Sequence, residues 1–319
     1  MNMNSIKKMM LSGALGCLIS GMAYADGSSP QPVKPYWQDI QVVAVNKEKP
    51  RSSFMSYADR ETALTSRFEK SPYYSLLNGT WKFFFVDSYK DLPQNITDPS
   101  VNTSSWDDIT VPGNWEVQGH GVAIYTNHGY EFKPRNPQPP LLPEANPVGV
   151  YRRDIEIPAS WDNRDIYLHI GGAKSGLYVY LNGKEVGYSE DSKNPAEFLI
   201  NKYLQPGKNV LTLKIFRWST GSYLECQDFW RMSGIERDVF LWSQPKASIQ
   251  DFRVVSTLDD TYTNGIFKLA VDLKNHTQET KNLNVGYELL DAKGNLVTSE
   301  ANDIWVSPAS PQTASFEYD

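Results

Sequence analysis

Glu225, Asp228 and Glu236 are the carboxylates whose crowding first suggests chemistry. They lie in RWSTGSYLECQDFWRMSGIERDVFLW, residues 217–242, interleaved with Arg217, Arg231 and Arg237 and with Trp218, Tyr223, Trp230 and Trp242. Two carboxyl groups held about 5–10 Å apart across a cleft perform acid–base and nucleophilic work on an acetal. The same composition also fits a semi-buried network in which guanidinium and carboxylate groups satisfy one another between aromatic rings. The mixed signs favour this second reading, which predicts pairing among Glu225, Asp228, Arg217, Arg231 and Arg237.

Asp191, in YSEDSKNPAEF, poses a similar choice. An Asp-Ser pair before a polar turn and Pro195 caps the following segment in one reading. In the other, Asp191 projects its carboxylate to a ligand or a hard cation such as Na⁺ or Ca²⁺. His120, His128, His169 and His276 are scattered without metal-ligand spacing, and His169 alternates outward on its strand. Cys226 reads as a packed thiol. No nucleophile elbow, P-loop or dinucleotide fingerprint occurs.

The elements that must position these groups are short strands. Alternation places Trp81, Phe83 and Phe85 on one face of GTWKFFFVDS, and Ile166, Leu168 and Ile170 on one face of DIYLHIGG. VYRRDIEIP alternates Tyr151, Arg153, Ile155 and Ile157 against Arg152, Asp154 and Glu156, and NVLTLKIFRW aligns Leu211, Leu213 and Ile215. GLYVYLNGKEVGY is a hairpin about Asn182-Gly183, a pair that tolerates positive φ at both turn centres. ERDVFLW closes the set. Many short strands with Gly, Pro and Asn turns predict an all-β, antiparallel jelly-roll sandwich. One short helix is expected within Ala58–Ser71, where Leu64 and Phe68 have helical spacing. Pro112–Pro147 is proline-rich and aperiodic, as functional or interfacial segments are.

After Pro245 the strands IQDFRVVSTLD, NGIFKLAVDLKN, LNVGYELLDAKGNLVTSE and a last IWVS suggest an immunoglobulin-like sandwich, with a turn at Asp291–Gly294. Such a domain needs about 100 residues. The expected organisation is therefore a signal peptide at 1–25, a jelly-roll sugar-binding-type domain with an N-terminal arm at 26–246, and a partial immunoglobulin-like domain at 247–319. On this reading the chain is the N-terminal piece of a longer protein.

Lys7 and Lys8, the apolar run Met9–Met22 and Ala23-Tyr24-Ala25 have the form of a secretory signal cut near Asp26. Export is expected, to the periplasm in a Gram-negative cell; cleavage as a lipoprotein before Cys17 is the alternative. Without Lys7 and Lys8 the formal charge moves from −6 to −8. An acidic protein without a basic run is a poor partner for nucleic acid, and nothing beyond the signal suits a membrane. Cys226 alone remains after cleavage, so stability rests on a core rather than disulfides. Nine Trp and 18 Tyr suit sandwich cores and also sugar stacking.

Taken in order from Asn78 to Val239, these motifs resemble the N-terminal part of the large β-galactosidases of glycoside hydrolase family two. The motifs are LNGTWKFFF, VPGNWEVQGHGVAIYTN, EANPVGVYRR, LNGKEVGYSEDSKNPAEF and RWSTGSYLECQDFWRMSGIERDV. The resemblance implies a jelly roll, an immunoglobulin-like domain, a (β/α)₈ barrel with two catalytic Glu beyond Asp319, and a retaining hydrolysis of terminal β-D-galactose. It implies that Asn127 and Asp191 contact the galactoside, and that Asp191 helps hold Na⁺; this replaces the cap reading of Asp191. It further implies a Mg²⁺ mostly outside these residues, packing on the barrel, and a homo-oligomer. PYWQDIQ departs from the acidic segment usual there, which leaves any Mg²⁺ ligand near it unsupported. A stand-alone carbohydrate-binding sandwich is the alternative function.

Overall fold

A computed structural model describes residues 34–132 and 136–318. Pro35–Asp319 form one compact unit. The expected signal peptide lies outside the described residues.

The strands in chain order are β1 (Ala44–Val45), β2 (Tyr74–Leu76), β3 (Gly79–Val86), β4 (Asp107–Val111), β5 (Gly113–Asn114), β6 (Ile124–Thr126) and β7 (Val148–Glu156). They continue as β8 (Arg164–Ile170), β9 (Ala173–Lys174), β10 (Gly176–Leu181), β11 (Lys184–Ser189), β12 (Ala196–Leu199) and β13 (Lys208–Phe216). Next come β14 (Phe229–Arg231), β15 (Gly234–Ile235) and β16 (Val239–Pro245). The last group is β17 (Ala247–Leu258), β18 (Gly265–Asn275), β19 (Lys281–Leu290), β20 (Leu296–Val306) and β21 (Gln312–Tyr318).

A seven-stranded sheet, β1-β11-β10-β13-β7-β3-β4, packs against a four-stranded sheet, β12-β8-β16-β2, and every pairing in them is antiparallel. The alternation read from sequence supplies the core between them: Trp81, Phe83, Tyr151, Leu168, Leu213 and Leu241 are all buried there. Burying the Trp81 ring is compatible with its polar N–H because Nε1 donates to Leu77 O at 2.8 Å. The opposite face of the large sheet is also covered. Val148, Val150, Tyr178 and Phe216 form a second cluster there under Trp37 of the arm, whose ring stacks on Phe216 at 5.0 Å. Strands covered on both faces read as nearly continuous apolar runs, which is why GLYVYL hardly alternates.

The β10–β11 turn has Asn182 at φ 54° and Gly183 at φ 77°. Asn182 also ties the hairpin to its neighbours, donating to Asn209 Oδ1 at 2.8 Å and accepting from Val210 N at 2.9 Å.

The expected helix at 58–71 is shorter and broken. Asp59 caps Arg60–Leu64 by accepting from Thr62 N, and Phe68–Lys70 is a separate 3₁₀ turn. Ser66 at φ 53° lies between them and interrupts the helical backbone.

β17, β18 and β21 form one sheet and β19 and β20 another, and no strand before Pro245 pairs with one after it among the described residues. Leu269, Leu273, Val285, Val306 and Phe316 lie between these two sheets. The separate last strand IWVS is corrected: Ile304–Val306 complete β20, whose register with β19 runs unbroken from Thr298 to Val306. The sequence reading missed β21, which pairs with β18. The Asp291–Gly294 turn stands as expected, with Asp291 accepting from Lys293 N and Asn295 N.

Candidate functional site

Asp191 opens the turn after β11. Alternation separates it from its neighbour. Glu190 points inward and accepts from Tyr188 Oη at 2.6 Å, Thr220 Oγ1 at 2.7 Å and Gly221 N at 2.7 Å. Burial pushes the Glu190 carboxyl up, against these hydrogen bonds. Asp191 is exposed, and its carboxylate accepts from Asn194 Nδ2, at 2.9 and 3.2 Å. It caps no helix, and the next element is β12.

Residues from 217–242 hold this turn in place. Both Glu225 oxygens accept from Ser192, from N at 3.0 Å and Oγ at 2.6 Å. Lys193 pairs with Glu236, and Arg237 Nη1 donates to Lys193 O at 2.9 Å. Asp191 also lines a cavity of about 310 Å³, with Lys47, Arg51, Phe54, His169 and Phe240 among its walls.

Asn127 follows β6, which pairs with β14 so that Thr126 faces Phe229. It is exposed, with Oδ1 2.8 Å from His128 Nδ1. Asn127 and Asp191 do not bond each other. Each adjoins a residue fixed by 225–231: Ser192 by Glu225, and Thr126 by Phe229.

The ionic network exists with other partners than expected. Arg217 approaches Glu116 and Glu131, each at 3.6 Å, and Lys174 approaches Glu131 at 3.5 Å. Arg231 Nη1 donates to the Glu225 carbonyl at 2.9 Å, and Asp228 accepts from Tyr125 Oη at 2.9 Å. The Glu225 carboxylate faces Ser192, and Arg231 meets the Glu225 backbone carbonyl instead. The acids come instead from the aperiodic segment after Pro112, far from Arg217 in the chain. Burial pulls the Lys174 ammonium down, against Glu131, and pushes the Glu116 carboxyl up, against the Ser233 N–H.

His169 leaves the core as predicted but is not free. The arm crosses above it, and its Nδ1 lies 2.8 Å from Glu197 Oε1. Cys226 is a packed thiol, 3.4 Å from Tyr223 O, and burial pushes it up.

Na⁺ requires several oxygen ligands. The exposed Asp191 carboxylate has an oxygen of the kind such an ion takes, and the described residues contain no group of three or more His, Cys, Asp or Glu placed to hold a metal. The Tyr36–Gln38 segment does not fit a Mg²⁺ site: Trp37 is packed, and Asp39 Oδ1 accepts from Gln41 N at 3.0 Å.

The sandwich with its outward carboxylate turn defines a class. Residues 74–245 match the glycosyl hydrolases family 2, sugar binding domain, and the chain belongs to that family. Among curated relatives, a β-galactosidase of Priestia megaterium is 38% identical over 88% of this chain and 28% of its own length. One of Psychromonas ingrahamii is 36% identical over 82% of this chain and 24% of its own length. The chain thus spans about a quarter of the length of these relatives. A Bacteroides uniformis β-glucuronidase structure shares the fold at TM-score 0.62 and 20% identity, covering 76% of this chain and 27% of that one.

Proposed function

We propose that this chain supplies the sugar-side lip of an exported, retaining β-galactosidase. Asn127 and Asp191 contact the terminal galactose, and Asp191 contributes one oxygen to a Na⁺ beside it. The acid/base and nucleophile Glu of the retaining reaction belong to a barrel outside this chain, against which the sandwich packs; the whole enzyme forms a homo-oligomer. The observation that carries the reading is the Asp191 turn: an exposed carboxylate followed by Ser192 and Lys193, which Glu225, Glu236 and Arg237 hold in place. Such pre-organisation suits a contact made across a domain boundary. The 217–242 stretch therefore positions the site and does no bond-breaking.

The purified chain is expected to show no turnover of an aryl β-galactoside; heat-sensitive turnover by the pure chain overturns this. Isothermal titration with galactose distinguishes a stand-alone binding module, which would show micromolar affinity.

A further inference from the structure

Two buried cations meet beside the ring of Phe229. Lys174 on β9 and Arg231 on β14 are each 2% exposed, and their charge centres lie 5.9 and 4.8 Å from the ring centre. A third cation, Lys193, lies 5.3 Å from it and is already paired with Glu236. Arg231 Nη1 donates to the Glu225 carbonyl at 2.9 Å, but Arg231 Nη2 has no partner. Among the described residues no carboxylate forms an ion pair with Arg231. Lys174 Nζ is also unpartnered as a hydrogen-bond donor; the acid it approaches, Glu131, stands at 3.5 Å and is shared with Arg217 at 3.6 Å. Glu116 takes another side of Arg217, and Glu225 gives its oxygens to Ser192.

We propose that a small monovalent anion of the halide class lodges between Lys174 Nζ and Arg231 Nη2. A charge buried without a counter-charge is costly, and both groups hold free N–H donors inside the fold. The unpartnered buried atoms of this cluster are three donors, Lys174 Nζ, Arg217 Nε and Arg231 Nη2, against one acceptor, Glu131 Oε2. A water brings as many donors as acceptors and leaves such an excess in place; a halide only accepts. Burial pulls the Lys174 ammonium down, Glu131 and Glu225 oppose this, and the charges of Arg231 and Lys193 add to it. An anion here relieves that like-charge repulsion between β9 and β14. Because β14 pairs with β6, the ion also pins the ribbon that leads to Asn127. Its donors come from this chain alone, so the site stands whether or not Asp191 meets a sugar.

Two measurements on the whole chain test this. Melting is followed in sodium chloride, sodium bromide and sodium gluconate at matched ionic strength, gluconate being too large for a buried site. The melting temperature should rise saturably with chloride and bromide, by about 3 °C at tenfold the half-saturating concentration, and not with gluconate. Crystals soaked in bromide should show an anomalous peak between Lys174 and Arg231. Lys174→Met and Arg231→Met should each abolish the halide response; where a variant fails to fold, the bromide peak of the unaltered chain decides. An equal response in gluconate, a halide response retained in a folded variant, or water where the bromide peak is expected overturns the site.

Discussion

Arg51 and Glu197 form a two-point pair between the arm and the four-stranded sheet: Nε donates to Oε2 and Nη2 to Oε1, both at 2.9 Å. Glu197 Oε1 also lies 2.8 Å from His169 Nδ1 and accepts from Trp242 Nε1 at 3.0 Å. The Arg51 guanidinium stacks on Phe54 and Trp242. Arg51→Met keeps much of the stacking surface but leaves a buried carboxylate short of a cation. Breaking one side of such a pair costs about 3 kcal/mol. Chemical denaturation should show that loss. A change within error would mean that Arg51 is dispensable to the arm.

The same carboxylate sets an acid limit. Burial pushes Glu197 up, but hydrogen bonds from His169 and Arg51 and their charges outweigh it and hold the group at about 2. A depressed carboxyl stabilises the fold above its unfolded pKa and loses that contribution as pH falls through its folded value. The window therefore runs from about 4.5 down to about 2, and the contribution is roughly 3 kcal/mol. Glu197→Gln should flatten the stability profile across that window; an unchanged profile would contradict the assignment.

Gly183 at φ 77° is required twice over. A Cβ there would add left-handed strain and would stand 2.9 Å from Pro99 Cδ. Gly183→Ala should cost about 1–2 kcal/mol with an unchanged denaturant slope. No loss would show that the hairpin turn can rearrange.

Arg217→Met removes the guanidinium between Glu116 and Glu131. The acids are then buried without it, and the segment carrying Asn127 loses its tether. Hydrogen exchange should quicken in residues 114–131 while β7 and β13 stay protected. Uniform quickening would instead mean that the pair serves the whole sandwich.

Period-two alternation made most of the sandwich legible, because Trp81, Phe83, Leu168, Leu213 and their neighbours bury on one side. Asn182-Gly183 marked its turn by local chemistry alone. Pairings across long chain separations were not legible. Arg217 has nearby acids in sequence, yet Glu225 turns to Ser192, and the partners Glu116 and Glu131 arrive from the aperiodic segment. His169 alternates outward correctly, but no local pattern tells that an arm will cross it. β21, QTASFEY, alternates only weakly, with Ala314 and Phe316 as its buried positions. For Asp191, the residues alone allowed either a cap or a ligand contact. The structure leaves its carboxylate exposed and its turn clamped.

Kinetics of the complete enzyme bearing Asp191→Ala test most directly whether this chain lends a carboxylate to the sugar site. Losing a charge-assisted hydrogen bond of about 1.5–3 kcal/mol should raise KM for a β-galactoside roughly 10- to 100-fold, with the melting temperature unchanged. An unaltered KM, or a loss of activity that merely follows a lowered melting temperature, would contradict that role.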